Sequence, residues 1–302
     1  MTRSKLNFLG AMGIFGTVGI FVRHIPLSSA GIAFCRGILG CLFLLTFMAL
    51  TGKRLSRSAI RQNGLLLVLS GAAIGGNWIL LFEAYRYTTV ATATVCYYLA
   101  PVFLLIASAF VGERLTVRKL ICIVAALLGM VCVSGALKGG LPAFSELKGI
   151  CFGVGAAALY ASVMLLNKKL RPISAYDKTA IQLGVAAVVV LPYLVLTESY
   201  DLSAMTVGAW LLLAVVGILH TGFAYTLYFG SMQSLPTQTV ALFSYLDPVI
   251  AILLSALLLK EPMDIFSIVG TVLILGSALY SELPAGRPAQ TGRKSENFEK
   301  RA

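Results

Sequence analysis

Val240-Ala241-Leu242-Phe243-Ser244-Tyr245-Leu246-Asp247-Pro248-Val249-Ile250 opens an apolar run that continues to Leu259, and it places a carboxylate and a helix breaker where hydrocarbon tolerates neither without a reason. The phrase Tyr245-Leu246-Asp247-Pro248 recurs 147 residues earlier as Tyr98-Leu99-Ala100-Pro101. Each copy is followed at like spacing by a Ser-Ala pair, Ser108-Ala109 and Ser255-Ala256, and then by a glutamate, Glu113 and Glu261. The chain is therefore an internal repeat.

Composition sets the solvent. Hydrophobic residues make up 58% of the 302 residues, charged ones only 12%, and the mean hydropathy is +0.89. Soluble domains carry about twice that share of charge. Ten apolar runs, near 6–22, 28–50, 64–85, 89–111, 117–136, 148–166, 179–197, 207–232, 236–259 and 264–282, have the lengths of membrane helices rather than of barrel strands. The fold class predicted is an all-α polytopic membrane protein. The six cysteines fall within or beside these runs, with no paired spacing and no clustering with histidine, so they read as reduced packing residues and not as metal ligands.

The net charge of +12 sits in the short connections rather than on one face, which argues for topology and against nucleic acid. With the N-terminus cytoplasmic, eighteen Lys and Arg fall in inside segments and five in outside ones. That asymmetry predicts both termini inside. Five helices per copy is an odd number, so the second copy enters from the opposite face and the repeats are inverted. The expected units are 1–138 and 139–283, joined near Lys138-Gly139-Gly140-Leu141-Pro142, followed by a disordered basic cytoplasmic tail at 284–302.

The paired Tyr-Leu-x-Pro phrases, Val111-Gly112-Glu113-Arg114-Leu115-Thr116 and Leu259-Lys260-Glu261-Pro262, together with the five-plus-five layout, resemble the ten-helix EamA-type transporters of the drug/metabolite transporter superfamily. The resemblance spans Leu6 to Leu283. It implies an inner (plasma) membrane carrier, often an exporter of amino acids or related metabolites. It also implies a central cavity walled by the first, third and fourth helices of each half. Ala100 stands where its repeat mate is Asp247, which makes such a cavity chemically lopsided.

Polar residues deep in apolar runs are the candidates for that cavity: Asn77, Trp78, Tyr97, His220, Tyr225 and Asp247. His220 and Ala224, the repeat mate of Asn77, share a face if the eighth run is α-helical. Buried amides and aromatics also serve as interhelical glue, and Tyr98 and Tyr245 belong with these cases. Asp247 lies about 15 Å into its run at a rise of about 1.5 Å per residue. There it fits a substrate or proton site, or a fixed pair with Arg36. Arg36 in turn is a structural or coupling residue, a snorkelling cation or a clamp for a carboxylate. Pro101 and Pro248 are expected to bend their helices, and Gly-rich faces at Gly10, Gly13, Gly16, Gly19 and Gly149, Gly153, Gly155 suit close packing. Glu113 and Glu261 read as interfacial charges with no substrate role.

No phosphate-binding loop, zinc-protease motif or nucleophile triad occurs, so no enzyme, no cofactor and no metal are expected. The expected partners are a small-molecule substrate, the lipid bilayer and protons as coupling ion, with the oligomeric state open. A lipid-binding or structural membrane module is the alternative, with a membrane-embedded enzyme behind it. The topology is open to test by cysteine accessibility. An impermeant external thiol reagent is expected to modify cysteines placed at 138 and 198 and to miss those at 53 and 168; protection at 138 would contradict the odd helix count per half.

Overall fold

The computed structural model describes residues 3–110, 116–133, 143–197, 203–232, 234–235, 240 and 243–282. Among these the chain is helical between short connections, with no strand. The first part comprises α1 (Arg3–Arg23), α2 (Ser29–Leu50), a short α3 (Arg57–Gln62), α4 (Gly64–Tyr87), α5 (Val90–Tyr97), α6 (Ala100–Phe110) and α7 (Val117–Val133). The second comprises α8 (Phe144–Lys168), α9 (Ala175–Thr197), α10 (Val207–Ala214), a π-helical segment Val215–Phe223, α11 (Ala224–Met232), α12 (Leu246–Leu257) and α13 (Ile265–Glu282). Among the described residues, six helical stretches are long and apolar enough to cross a membrane: α1, α2, α4, α8, 175–196 within α9, and 207–231 through the π segment. Shorter apolar helices cover Val90–Leu104, Leu246–Leu257 and Ile265–Tyr280. The expected repeat junction at 138/139, the linker, Glu113, Arg114, Glu198 and the tail from 284 lie outside the described residues.

Local chemistry sets the ends. Ser28 caps α2 by accepting from Gly31 N at 3.0 Å, and Thr89 caps α5 by accepting from Thr92 N at 3.0 Å. Such side-chain oxygens satisfy orphan N–H groups that lipid cannot. Large apolar residues stay exposed on outward faces, as at Ile121 and Leu128 of α7 and Val269 and Val272 of α13. A helix apolar all round needs a bilayer to cover it.

The packing is symmetric under exchange of the two parts. α4 packs along α8 as α11 and the π segment pack along α1, and α4 meets α9 as α2 meets the π segment. In the same way α1 lies on α12 and α8 on α5 and α6, while α2–α9 and α7–α13 are self-matching pairs.

Two differences from the sequence reading concern the prolines and the eighth run. The fourth and ninth runs are not single bent helices: helix stops at Tyr98–Leu99 and at Tyr245, and restarts at Ala100 and Leu246. Pro101 and Pro248 thus occupy first turns, where a missing N–H costs no helical bond. The eighth run is α-helical only at its ends, because Val215–Phe223 is π-helical. Hydropathy reports neither break, since both lie inside uniformly apolar sequence.

Glycine permits the contacts that hold the broken helices. A Cβ at Gly16 would lie 2.7 Å from the Asp247 carbonyl and 2.8 Å from Ile250 Cβ, and one at Gly153 would lie 2.8 Å from Cys96 Cβ. At Gly10 nothing lies within 4 Å. Gly16→Ala is therefore expected to lower stability by about 1–3 kcal/mol through overpacking, whereas Gly10→Ala should be neutral or gain up to about 1 kcal/mol of helix propensity. Melting midpoints in detergent check this, and equal effects at the two positions would contradict the α1–α12 contact.

Candidate functional site

Asp247 is the second residue of α12, where free backbone N–H groups favour a negative charge. Its carboxylate accepts from Tyr98 OH at 2.9 Å, and its main-chain carbonyl faces Gly16 of α1. The two interrupted runs therefore meet at their breaks. A charge that could not sit mid-helix in lipid sits instead at a helix start, hydrogen-bonded across the repeat.

Arg36 is 6% exposed and does not snorkel to a membrane face. Its Nε donates to Thr221 Oγ1 at 2.7 Å, and its guanidinium carbon lies 4.4 Å from the Trp78 ring centroid and 5.8 Å from that of Phe82. A desolvated cation over an aromatic face gains about 2 kcal/mol. The fixed Arg36–Asp247 pair is not formed: the ion pairs within 4 Å among the described residues join Arg23 to Glu261 and Arg86 to Glu83. Tyr225 also lies beside Arg36.

The π segment positions the cation's anchor. Thr221 Oγ1 donates to Val216 O at 3.0 Å while it accepts from Arg36, and Gly217 and Gly222 let Leu39 and Phe43 of α2 come close. π turns recur where helices serve function. His220, fully buried, places Nδ1 3.2 Å from Val215 O and Nε2 2.8 Å from Thr17 Oγ1. A carbonyl only accepts, so Nδ1 carries a proton, and in the neutral ring Nε2 then accepts from Thr17. The Thr17 hydroxyl also lies 2.8 Å from Ile14 O. It can serve one of the two acceptors at a time. The α-helical face that was to join His220 with Ala224 is replaced by this wider turn.

Asn77 is turned toward α8, where its amide donates to Ala156 O at 2.6 Å, and Tyr97 OH reaches its carbonyl at 3.5 Å. Tyr97 stacks on Tyr160 at 5.2 Å and meets Tyr98 edge-on at 6.2 Å, and Tyr98 faces Tyr245 at 6.2 Å. Tyr225 packs against Phe15 at 5.4 Å. The predicted residues thus form two connected groups: Asp247 with the tyrosines, and Arg36 with Trp78, Tyr225 and the π segment. Thr17, Thr221 and Tyr160 complete them. Sequence reasoning passed over these three, although Thr221 adjoins His220 and Tyr160 is a lone polar aromatic in the sixth run.

The two ends of the bundle differ. At the end holding Ser4, the Ser234 hydroxyl donates to that of Ser4 at 2.8 Å, and Phe8 packs on Tyr228 and Phe243 at 5.3 and 6.4 Å. These contacts hold the start of α1 against α11 and the residues before α12. At the end holding Arg23, a cavity of about 740 Å³ lies between the α1–α2 connection, α4 and the start of α10, and its lining includes Arg23, Cys35, Phe82, Tyr85, Arg86 and Trp210. Phe82 links that cavity to Arg36.

Comparison with known proteins agrees with this architecture. The model of the EamA-like transporter family matches residues 3–135 and again 147–281. The uncharacterized transporter YxxF of Bacillus subtilis is 32% identical over 273 residues, 89% of this chain and 86% of that protein. An uncharacterized transporter of Archaeoglobus fulgidus is 26% identical over 88% of this chain and 91% of its own length. The uncharacterized inner membrane transporter YicL of Salmonella typhimurium is 23% identical over 95% and 98%. A solved crystal structure shares the fold with a TM-score of 0.63 at 20% identity, covering 92% of this chain and 96% of its own. With two family matches, one on each half, and relatives aligned over nearly their whole length, this chain is a multi-pass membrane protein that belongs to the EamA-like transporter family.

Proposed function

We propose that this chain is a secondary active carrier of small organic solutes in the inner (plasma) membrane, exporting amino acids or related metabolites by alternating access. Ten crossings in two inverted halves, 1–138 and 139–283, with both termini and the tail at 284–302 cytoplasmic, follow from the basic asymmetry of the connections. The Arg23 end is then external and the Ser4 end cytoplasmic.

One observation carries the reading: a buried cation and a half-buried carboxylate, contributed by opposite halves, sit at two connected aromatic groups without forming an ion pair with each other. Leaving both unpaired with each other is expensive unless something else completes them. A zwitterion does so, with its carboxylate toward Arg36 and its ammonium toward Asp247. Tyr97, Tyr225 and Trp78 then supply apolar faces for an aromatic or aliphatic side chain. Asn77 and His220 serve as second-row groups that hold α8 and α1 against this layer. Asp247 is also the group suited to carry a coupling proton, because it is held by a tyrosine hydroxyl rather than locked to a cation.

Asp247→Asn keeps the shape and an oxygen for Tyr98 but removes the charge. The account expects a folded protein in which amino-acid export falls at least about tenfold, the equivalent of one charged hydrogen bond, and in which residual transport loses its dependence on pH. Export assays in proteoliposomes between pH 5.5 and 8 measure both, and unchanged export in a folded variant would sink the assignment.

A further inference from the structure

Glu261, which the sequence offers only as a helix-ending charge, gathers three groups from three elements. Its side chain is 8% exposed. Oε1 accepts from Arg23 Nη1 of α1 at 2.5 Å, and Oε2 accepts from Val90 N, the first N–H of α5, at 2.8 Å. Ser255 of α12 donates its hydroxyl to Oε2, and the same Arg23 Nη1 reaches Thr88 O at 3.2 Å. A second observation shows that the chain is bent to make these contacts. Lys260 has φ of 52°, a left-handed conformation that a non-glycine residue adopts only where its surroundings enforce it. That turn brings Glu261 N back onto Ser255 O at 3.2 Å and aims the carboxylate at α5.

The elements joined are those that carry the site. α5 runs from Val90 to Tyr97 and delivers Tyr98, α12 has Asp247 in its first turn, and α1 touches the Asp247 carbonyl at Gly16. The Tyr98–Asp247 bond closes one end of the α5–α12 pair, and Glu261 closes the other. Arg23, 38% exposed in its side chain, lines the 740 Å³ cavity and has water to move into.

We propose that Glu261 is the latch of the external gate, a positioning residue that holds α1, α5 and α12 closed over the Tyr98–Asp247 layer until Arg23 releases it. This rests on the carrier reading and its orientation. The Val90 N–H and Ser255 hydroxyl fix the carboxylate, so the moving part is the arginine. Arg23 is the half of the latch in contact with water.

The test places a reporter beneath the latch. Thr94, one turn into α5 and 5% exposed, is replaced by cysteine, and its reaction with an impermeant methanethiosulfonate is read by peptide mass spectrometry, with Cys35 of the cavity as an internal control. Arg23→Gln and Glu261→Gln are each expected to speed labelling at 94 on the order of three- to tenfold, the effect of a partly buried ion pair. The double variant should be no faster than either, and Arg23→Lys should stay near the parent. Labelling at 94 unchanged in either glutamine variant overturns the proposal. So does equal acceleration in Arg23→Lys, or a failure of both glutamine variants to fold, since each makes the contacts structural only. The labelling needs no solute, so a chain that moves no amino acid yet opens at 94 keeps the latch and refutes only the transport reading.

Discussion

The hydrogen bond from Tyr98 to Asp247 is the contact on which the rest of this architecture depends. It exists because two apolar runs break at matching places, and it is possible in lipid only because each break is covered by protein. Helix–helix contact there is backbone to backbone, with Gly16 against the Asp247 carbonyl. Non-helical backbone is tolerated at membrane depth only under such cover. The prolines that follow belong with the breaks: in a first turn they sacrifice no bond, and they keep the preceding turn from pairing through them.

Around that contact the charges are handled by different means. Asp247 has a helix start and a phenol, while Arg36 has a threonine and an indole face. Neither arrangement neutralises its ion, and a carboxylate beside the guanidinium would have been the cheaper way to bury it. A protein that keeps opposite charges close but apart retains two places where a charged ligand gains more than either residue would gain from the other. The π segment belongs to the same economy, since its widened turn presents Thr221 to Arg36 and His220 to Thr17 at once.

The helical membrane class was legible in the sequence: apolar run length and the repeated Tyr-Leu-x-Pro phrase are strong signals, whereas counting residues at a fixed rise to Asp247 assumed one unbroken ninth helix, which the stop at Tyr245 removes. What stayed hidden depends on partners distant in the chain. Nothing in Leu213 to Phe223 announces a π register, because hydropathy is blind to which carbonyl an N–H selects. Thr17 meets His220 across 203 residues and Glu261 meets Arg23 across 238. Glu261 looked like a loop charge because its neighbours Lys260 and Pro262 are loop residues; its burial comes from a left-handed turn that no pattern encodes. Asn77 was legible as a buried amide, yet its donation to Ala156 O required the α4–α8 packing to be seen.

The central claim is that Arg36 and Asp247 together hold a zwitterion, and ligand-dependent thermal stability tests it most directly. Purified protein in detergent is melted against a panel of amino acids, their decarboxylated amines and their deaminated acids. A true ligand raises the midpoint with concentration in proportion to RT ln(1 + [L]/Kd). The account predicts stabilisation by at least one amino acid, a weaker effect of its amine and of its acid, and loss of the difference between amino acid and acid in Asp247→Asn. No stabilisation by any amino acid, or the same stabilisation in Asp247→Asn, would contradict it.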